Sequence, residues 1–354
     1  MNYVVNGYKI YEIVLVTFLV SVFLVPIAKK IAVFIGAMDI PNKRKVHSKP
    51  MPRLGGLAIY FGFLVGYMLY GELTTQMISI LIGSFIILLV GIFDDIKPIR
   101  ARYKFLVQII AALIVVIYGG LYFKEITFLG LDIKLTVPFS YILSTFFIVA
   151  ITNAINLIDG LDGLAGGIST IYFLTITVIA LILGKLTGLD IVLSLIMFGS
   201  TLGFLIHNFP PAKIFMGDSG SLFLGFIISV IALVSFKITT LTSLVIPMLI
   251  LAIPIFDTLL AIIRRLLKGE SIGEPDKEHF HHQLLKLKLS YKASILIIYA
   301  ISIAFSAVSV LYITKNTEGA IAVYAVLMVL LLFMIFKTDI LYKHKNKKEE
   351  KNNK

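Results

Sequence analysis

Cysteine is absent from the 354 residues, so disulfides, thiolate nucleophiles, Cys-ligated zinc and iron–sulfur centres are all excluded. Any catalysis must use oxygen and nitrogen ligands. Charge is also scarce: 15% of residues are Asp, Glu, Lys or Arg, against 58% hydrophobic and a mean hydropathy of +0.97. No water-soluble core of this size requires so much apolar surface, so the bilayer is the expected solvent. There is no internal repeat, no heptad array and no soluble domain between apolar runs. The first run, residues 11–27, has Lys9 before it and Lys29 and Lys30 after it, with no small-residue cleavage pattern. It reads as a spanning helix rather than a removable signal peptide.

A spanning helix needs about 20 mostly apolar residues. By that criterion about eleven spans are expected, near residues 9–28, 54–70, 76–93, 105–123, 138–155, 163–183, 189–207, 220–236, 241–263, 294–313 and 319–337. The fold class is therefore an all-α integral membrane protein with one polytopic domain over residues 1–337. Residues 338–354 form a basic tail without apolar period, expected to be disordered near anionic headgroups. Of the 32 Lys and Arg residues, only Lys9, Lys124, Lys134, Lys185, Lys237 and Lys315 fall in one set of alternate connections. The rest crowd the other set, which predicts the N-terminus outside and the C-terminus in the cytoplasm. The same asymmetry accounts for the net charge of +12, and no nucleic-acid partner is expected. Among the outer connections, residues 124–137 alternate around Leu129-Gly130 like a small β-hairpin on the membrane surface.

Five polar motifs gather at expected cytoplasmic helix ends: P-N-K-R-K-V-H-S-K-P-M-P-R-L-G-G (41–56), F-D-D-I-K-P-I-R-A-R-Y-K (93–104), N-A-I-N-L-I-D-G-L-D-G-L-A-G-G (153–167), H-N-F-P-P-A-K-I-F-M-G-D-S-G-S (207–221) and D-K-E-H-F-H-H-Q-L-L (276–285). Ionisable groups at membrane depth are costly and mark a site or pathway by default. Asp94 and Asp95 open a loop where adjacent carboxylates can share a cation or orient a basic group. Asn156, Asp159 and Asp162 stand three apart, but Gly160, Gly163, Gly166 and Gly167 predict a helix break, which frees backbone groups for a ligand. Gly217-Asp218-Ser219-Gly220-Ser221 precedes an apolar helix, so its amides form an anion nest. Asp218 would repel a phosphate there unless a divalent cation lay between them, which points to Mg²⁺; the plainer alternative is that Asp218 or Ser219 caps the helix. His279, His281 and His282 are spaced wrongly for one zinc ion and suit hydrogen bonding to a diphosphate or sugar. Lone His207 reads as structural, and Asp257 as the buried partner of Arg264 or Arg265. Lys43, Arg44, Lys45, Lys49, Arg53, Arg100, Arg102 and Lys104 have two readings, phosphate contacts or ordinary inside-positive charge.

Taken in order, the five motifs resemble the polyprenyl-phosphate N-acetylhexosamine-1-phosphate transferases, the bacterial superfamily containing MraY, WecA and TagO. The resemblance covers about residues 36–290, and H-F-H-H-Q-L-L resembles the WecA/TagO branch. MraY-type enzymes carry three consecutive histidines, which Phe280 interrupts here, so transfer of phospho-MurNAc-pentapeptide stands as the alternative. The resemblance implies a bacterial plasma-membrane enzyme with its site facing the cytoplasm. It implies that UDP-N-acetylglucosamine and undecaprenyl phosphate give undecaprenyl-diphosphate-N-acetylglucosamine and UMP, with Mg²⁺ or Mn²⁺ required, in a teichoic-acid-type pathway. It assigns Asp218 to the metal and Asp94 and Asp95 to catalysis and prenyl-phosphate handling. It places Asn156, Asp159, Asp162, Asn208 and Phe215 on the nucleotide, and Lys45, Lys49, Arg53, Lys104, His279, His281 and His282 on phosphate and sugar. A homodimer is a candidate assembly. The rival of another class is a secondary transporter, for which a midplane site and repeat symmetry are expected and neither is visible.

Overall fold

The computed structural model describes residues 3–41, 49–128, 131–236, 245–269, 279–287, 289–314 and 317–337. A hairpin of β1 (Val4–Val5) and β2 (Tyr8–Lys9) leads into α1 (Ile10–Ile35), and β3 (Met38–Asp39) pairs antiparallel with β4 (Met51–Pro52). Then come α2 (Gly55–Tyr70), α3 (Thr75–Ile96) and α4 (Ala101–Leu113), which runs on into a π-helical turn at Ile114–Tyr118. After β5 (Glu125–Phe128) and β6 (Leu131–Lys134) the chain is helical: α5 (Val137–Ile158), α6 (Leu164–Ile182), α7 (Leu189–Asn208), α8 (Gly217–Phe236), α9 (Val245–Ile250), α10 (Ala252–Lys268), α11 (Phe280–Lys286), α12 (Tyr291–Ile313) and α13 (Thr317–Lys337).

Among the described residues, α1, α3, α4 with its π turn, α5, α6, α7, α8 and α12 are long and apolar enough to cross a bilayer, and Gly55–Tyr70 and Glu318–Phe333 are shorter apolar helices. The chain is a multi-pass α-helical membrane protein. The segment expected as one span over 241–263 differs: α9 and α10 break at Leu251. Pro247 and Pro254 flank that break, and each removes an N–H that a continuous helix would use. The hairpin expected at 124–137 is present, with Glu125 opposite Lys134 and Phe128 opposite Leu131, its Leu129-Gly130 tip lying outside the described residues. The 338–354 tail lies outside them too.

Helix α8 is apolar on every side and accordingly central, with 94% of its apolar span enclosed by protein. Helix α1 buries a single stripe, Ile13, Thr17, Ser21, Val25, Ala28 and Ala32, while Tyr11, Leu15, Leu19, Phe23 and Ile27 face outward. The middle of that stripe is made of small residues, Thr17 and Ser21, where α7 approaches closely. A Cβ added at Gly199 would lie 2.1 Å from Thr17 Oγ1 and 2.5 Å from the Val14 carbonyl oxygen, and one at Gly203 2.4 Å from the Phe18 carbonyl oxygen. Lipid offers no hydrophobic drive between helices, so this close contact carries the association. Gly199→Ala should push α1 off α7 and lower stability by about 1–3 kcal/mol. A thermal-shift measurement by fluorescence-detected size exclusion checks it, and an unchanged melting temperature would remove the α1–α7 contact from the list of what holds the bundle.

Candidate active site

Helices successive in the chain run in opposite directions, so the carboxyl ends of α3, α5 and α7 and the amino ends of α4, α6, α8 and α12 lie at one end of the bundle. A cavity of about 830 Å³ opens there, walled by Lys49, Arg53, Asn156, Asp159, Asp162, Asn208, Phe215, Asp218, His282, Tyr291 and Lys292, among others. This size is within the range of small-molecule sites.

Asp218, in the first turn of α8, is the hub. Lys104 Nζ in the first turn of α4 lies 2.8 Å from its Oδ2, and Arg53 Nη2 lies 3.8 Å from its Oδ1. Lys104 also meets Asp94 Oδ1 at 3.3 Å, and the same Asp94 oxygen accepts the Ile99 N–H at 2.8 Å. Arg53 reaches Asp95 and Asp39 as well, each at 3.5 Å. Burial alone would lower the Arg53 pKa, but the carboxylates of Asp95, Asp218, Asp39 and Asp94 outweigh it and hold the guanidinium above its ordinary value.

Asp94 and Asp95 do not open a loop, as the sequence suggested, but occupy the last turn of α3. Neighbours on a helix point about 100° apart, so the two carboxylates have different employment. Asp94 faces Lys104. Asp95, whose side chain is wholly enclosed, accepts the Asp218 N–H at 2.8 Å, the Ser219 N–H at 3.0 Å and the Ser219 hydroxyl at 2.7 Å. It therefore caps α8 from outside, the part the sequence offered to Asp218 or Ser219. The approach needs bare backbone: a Cβ at Gly91 would lie 2.4 Å from Ser219 Cα, and one at Gly56 2.2 Å from the Gly220 nitrogen.

The expected helix break separates α5 from α6 at Asp159–Gly163, with Gly163 at φ +78°. Asn156 Nδ2 donates to Ser221 Oγ at 2.9 Å, tying this junction to α8. Asp162 Oδ2 accepts the Ala212 N–H at 3.1 Å. Asn208 is a brace: its Oδ1 accepts the Gly163 N–H and its Nδ2 donates to the Ile214 carbonyl, both at 2.9 Å. Phe215 is braced too, its N–H donating to the Pro52 carbonyl at 2.8 Å and its carbonyl accepting the Gly55 N–H at 3.0 Å. Asp159 is pushed up to about 8, first by burial and next by the charge of Asp218. That rise favours its uncharged form over a further buried negative charge near Asp218.

The three histidines separate. His282 lines the cavity, whereas His279 is buried, its Nδ1 3.0 Å from Asp257 Oδ2, and Asp257 Oδ1 accepts the Phe280 N–H at 2.8 Å. Asp257 thus takes His279 as a partner, which the sequence did not suggest. Lys45 and the His281 side chain lie outside the described residues. Asp39, Tyr291 and Lys292 were missed. Tyr291 and Lys292 did carry a signal, since Ser290 ahead of them caps α12 by accepting the Ala293 N–H at 3.2 Å. Asp39, in a two-residue strand, carried none.

Among the described residues, no three carboxylate or imidazole groups converge to cage a metal. Mg²⁺ does not require a cage, since it is commonly held by one or two carboxylates with water and substrate phosphate completing the shell. Asp218, at the cavity wall with 15% of its side chain exposed, fits that role.

A carboxylate and cation cluster beside a membrane-embedded cavity can handle phosphate esters, and comparison with known proteins gives the class as a transferase. The profile of glycosyl transferase family 4 matches residues 77–236, from α3 to α8. A probable undecaprenyl-phosphate N-acetylglucosaminyl 1-phosphate transferase of Bacillus subtilis (strain 168) is 47% identical over 328 residues, covering 91% of this chain and 90% of that protein. The decaprenyl-phosphate N-acetylglucosaminephosphotransferase of Mycolicibacterium smegmatis is 34% identical over 337 residues, covering 86% and 83%. The undecaprenyl-phosphate alpha-N-acetylglucosaminyl 1-phosphate transferase of Escherichia coli (strain K12) is 29% identical over 306 residues, covering 83% of each. The chain belongs to the polyprenyl-phosphate N-acetylhexosamine-1-phosphate transferases. It is a transferase, and the transporter reading falls.

Proposed function

We propose that the chain transfers N-acetylglucosamine-1-phosphate from UDP-N-acetylglucosamine to undecaprenyl phosphate, releasing UMP, at the cytoplasmic face of a bacterial plasma membrane. This would be the first membrane step of a teichoic acid or similar envelope polymer. The observation that carries the reading is the meeting of Asp94, Asp95 and Asp218 with Arg53 and Lys104, from distant stretches of the chain, beside one cavity. The names of the relatives support N-acetylglucosamine over the MurNAc-pentapeptide alternative. The concentration of Lys and Arg in the connections at this end supports the cytoplasmic orientation.

A lipid phosphate oxygen attacks the phosphorus that bears the sugar, the bond from that phosphorus to the bridging diphosphate oxygen breaks, and UMP leaves with that oxygen. The lipid phosphate is largely ionised at neutral pH, so positioning dominates over general-base help. Arg53, Lys49 and Lys104 counter the repulsion between the two anions, Asp94 aims Lys104, and Asp95 holds the first turn of α8. Asp218 would hold the divalent cation. When bound, Mg²⁺ or Mn²⁺ supplies charge neutralisation to the diphosphate and its leaving group. The enclosure of Asp95 among three donors and the engagement of Asp94 by Lys104 favour direct displacement over an aspartyl-phosphate intermediate.

The test is UMP release by purified protein in detergent, with a panel of UDP-sugars. Release should require undecaprenyl phosphate, prefer UDP-N-acetylglucosamine, stop with EDTA and return with excess Mg²⁺. Activity that persists in EDTA removes the cation from Asp218, and exchange of labelled UMP without lipid revives the covalent route.

A further inference from the structure

Two tyrosines of α12 that belong to none of the five motifs hold the α5–α6 junction, in addition to the brace from Asn208 of α7. The Asp162 N–H donates to the Tyr291 hydroxyl, which also interacts with the Asp162 carboxylate. Eight residues on, about two turns further along the helix, the Tyr299 hydroxyl donates to the Gly163 carbonyl. The fit is close: a Cβ at Gly167 would lie 1.9 Å from the Tyr299 hydroxyl oxygen and 2.0 Å from its Cζ. One of the four glycines expected to interrupt this helix is therefore needed for another reason, to admit an aromatic ring from α12.

These contacts grip consecutive residues. Asp162 is held at its N–H by Tyr291 and at its carboxylate by Ala212, and Gly163 at its carbonyl by Tyr299 and at its N–H by Asn208. Gly163 at φ +78° is where the chain turns from α5 into α6, so fixing it sets how Asp159 and Asp162 face the cavity. Tyr291 and Lys292 themselves line the cavity, and His282 on α11 lines it just ahead of α12.

We propose that Tyr291 and Tyr299 are positioning residues for UDP-sugar binding: their hydroxyls clamp the α5–α6 junction so that Asp159 and Asp162 are preorganised for the nucleotide half of the substrate. The proposal rests on the reading of this cavity as the UDP-sugar site. The clamp touches only the α5–α6 junction and none of Arg53, Lys104 and Asp218, so its loss should fall on the substrate half that meets Asp159 and Asp162.

The test is steady-state kinetics of Tyr291→Phe and Tyr299→Phe, each of which deletes one hydroxyl and keeps the ring. For each, KM for UDP-N-acetylglucosamine should rise about tenfold, the worth of one buried hydrogen bond. KM for undecaprenyl phosphate and kcat should stay within about threefold, well inside that change. The inhibition constant of UMP should weaken in step with the UDP-sugar KM. If either variant fails to insert, the other carries the test. A purely structural role predicts a lower melting temperature and less active enzyme with both KM values unchanged, and that result, or equal rises in both KM values, overturns the proposal. Asp159→Ala is the separate arm for the underlying reading. If it leaves UDP-sugar KM and UMP inhibition unaltered, the cavity assignment itself is wrong, whatever the tyrosine variants do.

Discussion

Asp218→Asn should reduce UMP release by at least about 10³-fold while the protein inserts and melts as before. Asn keeps the shape of Asp and one acceptor oxygen, so the helix start, which Asp95 caps from outside, has no reason to move. What changes is charge. Lys104 at 2.8 Å and Arg53 at 3.8 Å then face a neutral amide, and the carboxylate assigned to the cation is gone. Raising Mg²⁺ or Mn²⁺ should recover part of the rate if weakened cation binding is the cause. The measurement is UMP release against metal concentration, with size-exclusion and melting profiles beside it. Near-normal turnover in this variant would refute the assignment of Asp218.

Asp95→Ala should fail differently, losing activity and stability together. Three donors, the N–H groups of Asp218 and Ser219 and the Ser219 hydroxyl, lose their acceptor inside the protein. A buried donor left unsatisfied costs about 1–3 kcal/mol, so the amino end of α8 should fray and carry Asp218 with it. Asp95→Asn, which still offers one oxygen, should fall between Ala and the native protein. The readouts are melting temperature and kcat on the same preparations. If Asp95→Ala keeps its melting temperature and loses only kcat, Asp95 is acting on the reacting atoms and not on the helix.

The contrast between neighbouring aspartates shows what was legible in the letters and what was not. Composition and the length of apolar runs announce the bilayer, and alternation around Leu129-Gly130 announces the β5–β6 hairpin, because both depend on local properties of the chain. The break at Asp159–Gly163 was readable too, since glycines at that density do not sustain a helix. By contrast, Asp94 and Asp95 are chemically identical in sequence, and only their angular separation on α3 sends one to Lys104 and the other to the amides of α8. Residue identity carries no information about that angle until the last turn of α3 is known to be helical. The same limit hid Tyr299, which looks like ordinary span filling until its ring is found where Gly167 lacks a side chain. Asn208 was expected beside the nucleotide and does line the cavity, but both ends of its amide are spent on the protein. His279 was expected at the sugar, and nothing in its sequence neighbourhood announced that its Nδ1 would lie 3.0 Å from Asp257.

The first turn of α8 has Gly91 on one flank and Gly56 on another, each too near for any substituent larger than hydrogen. The start of that helix is thus set against bare main chain on two flanks, and a substitution at either glycine must displace it. The wall that carries Tyr291, Lys292 and His282 is built from side chains instead. A substitution on that wall can therefore reshape the cavity while the turn that carries Asp218 stays where the two glycines seat it.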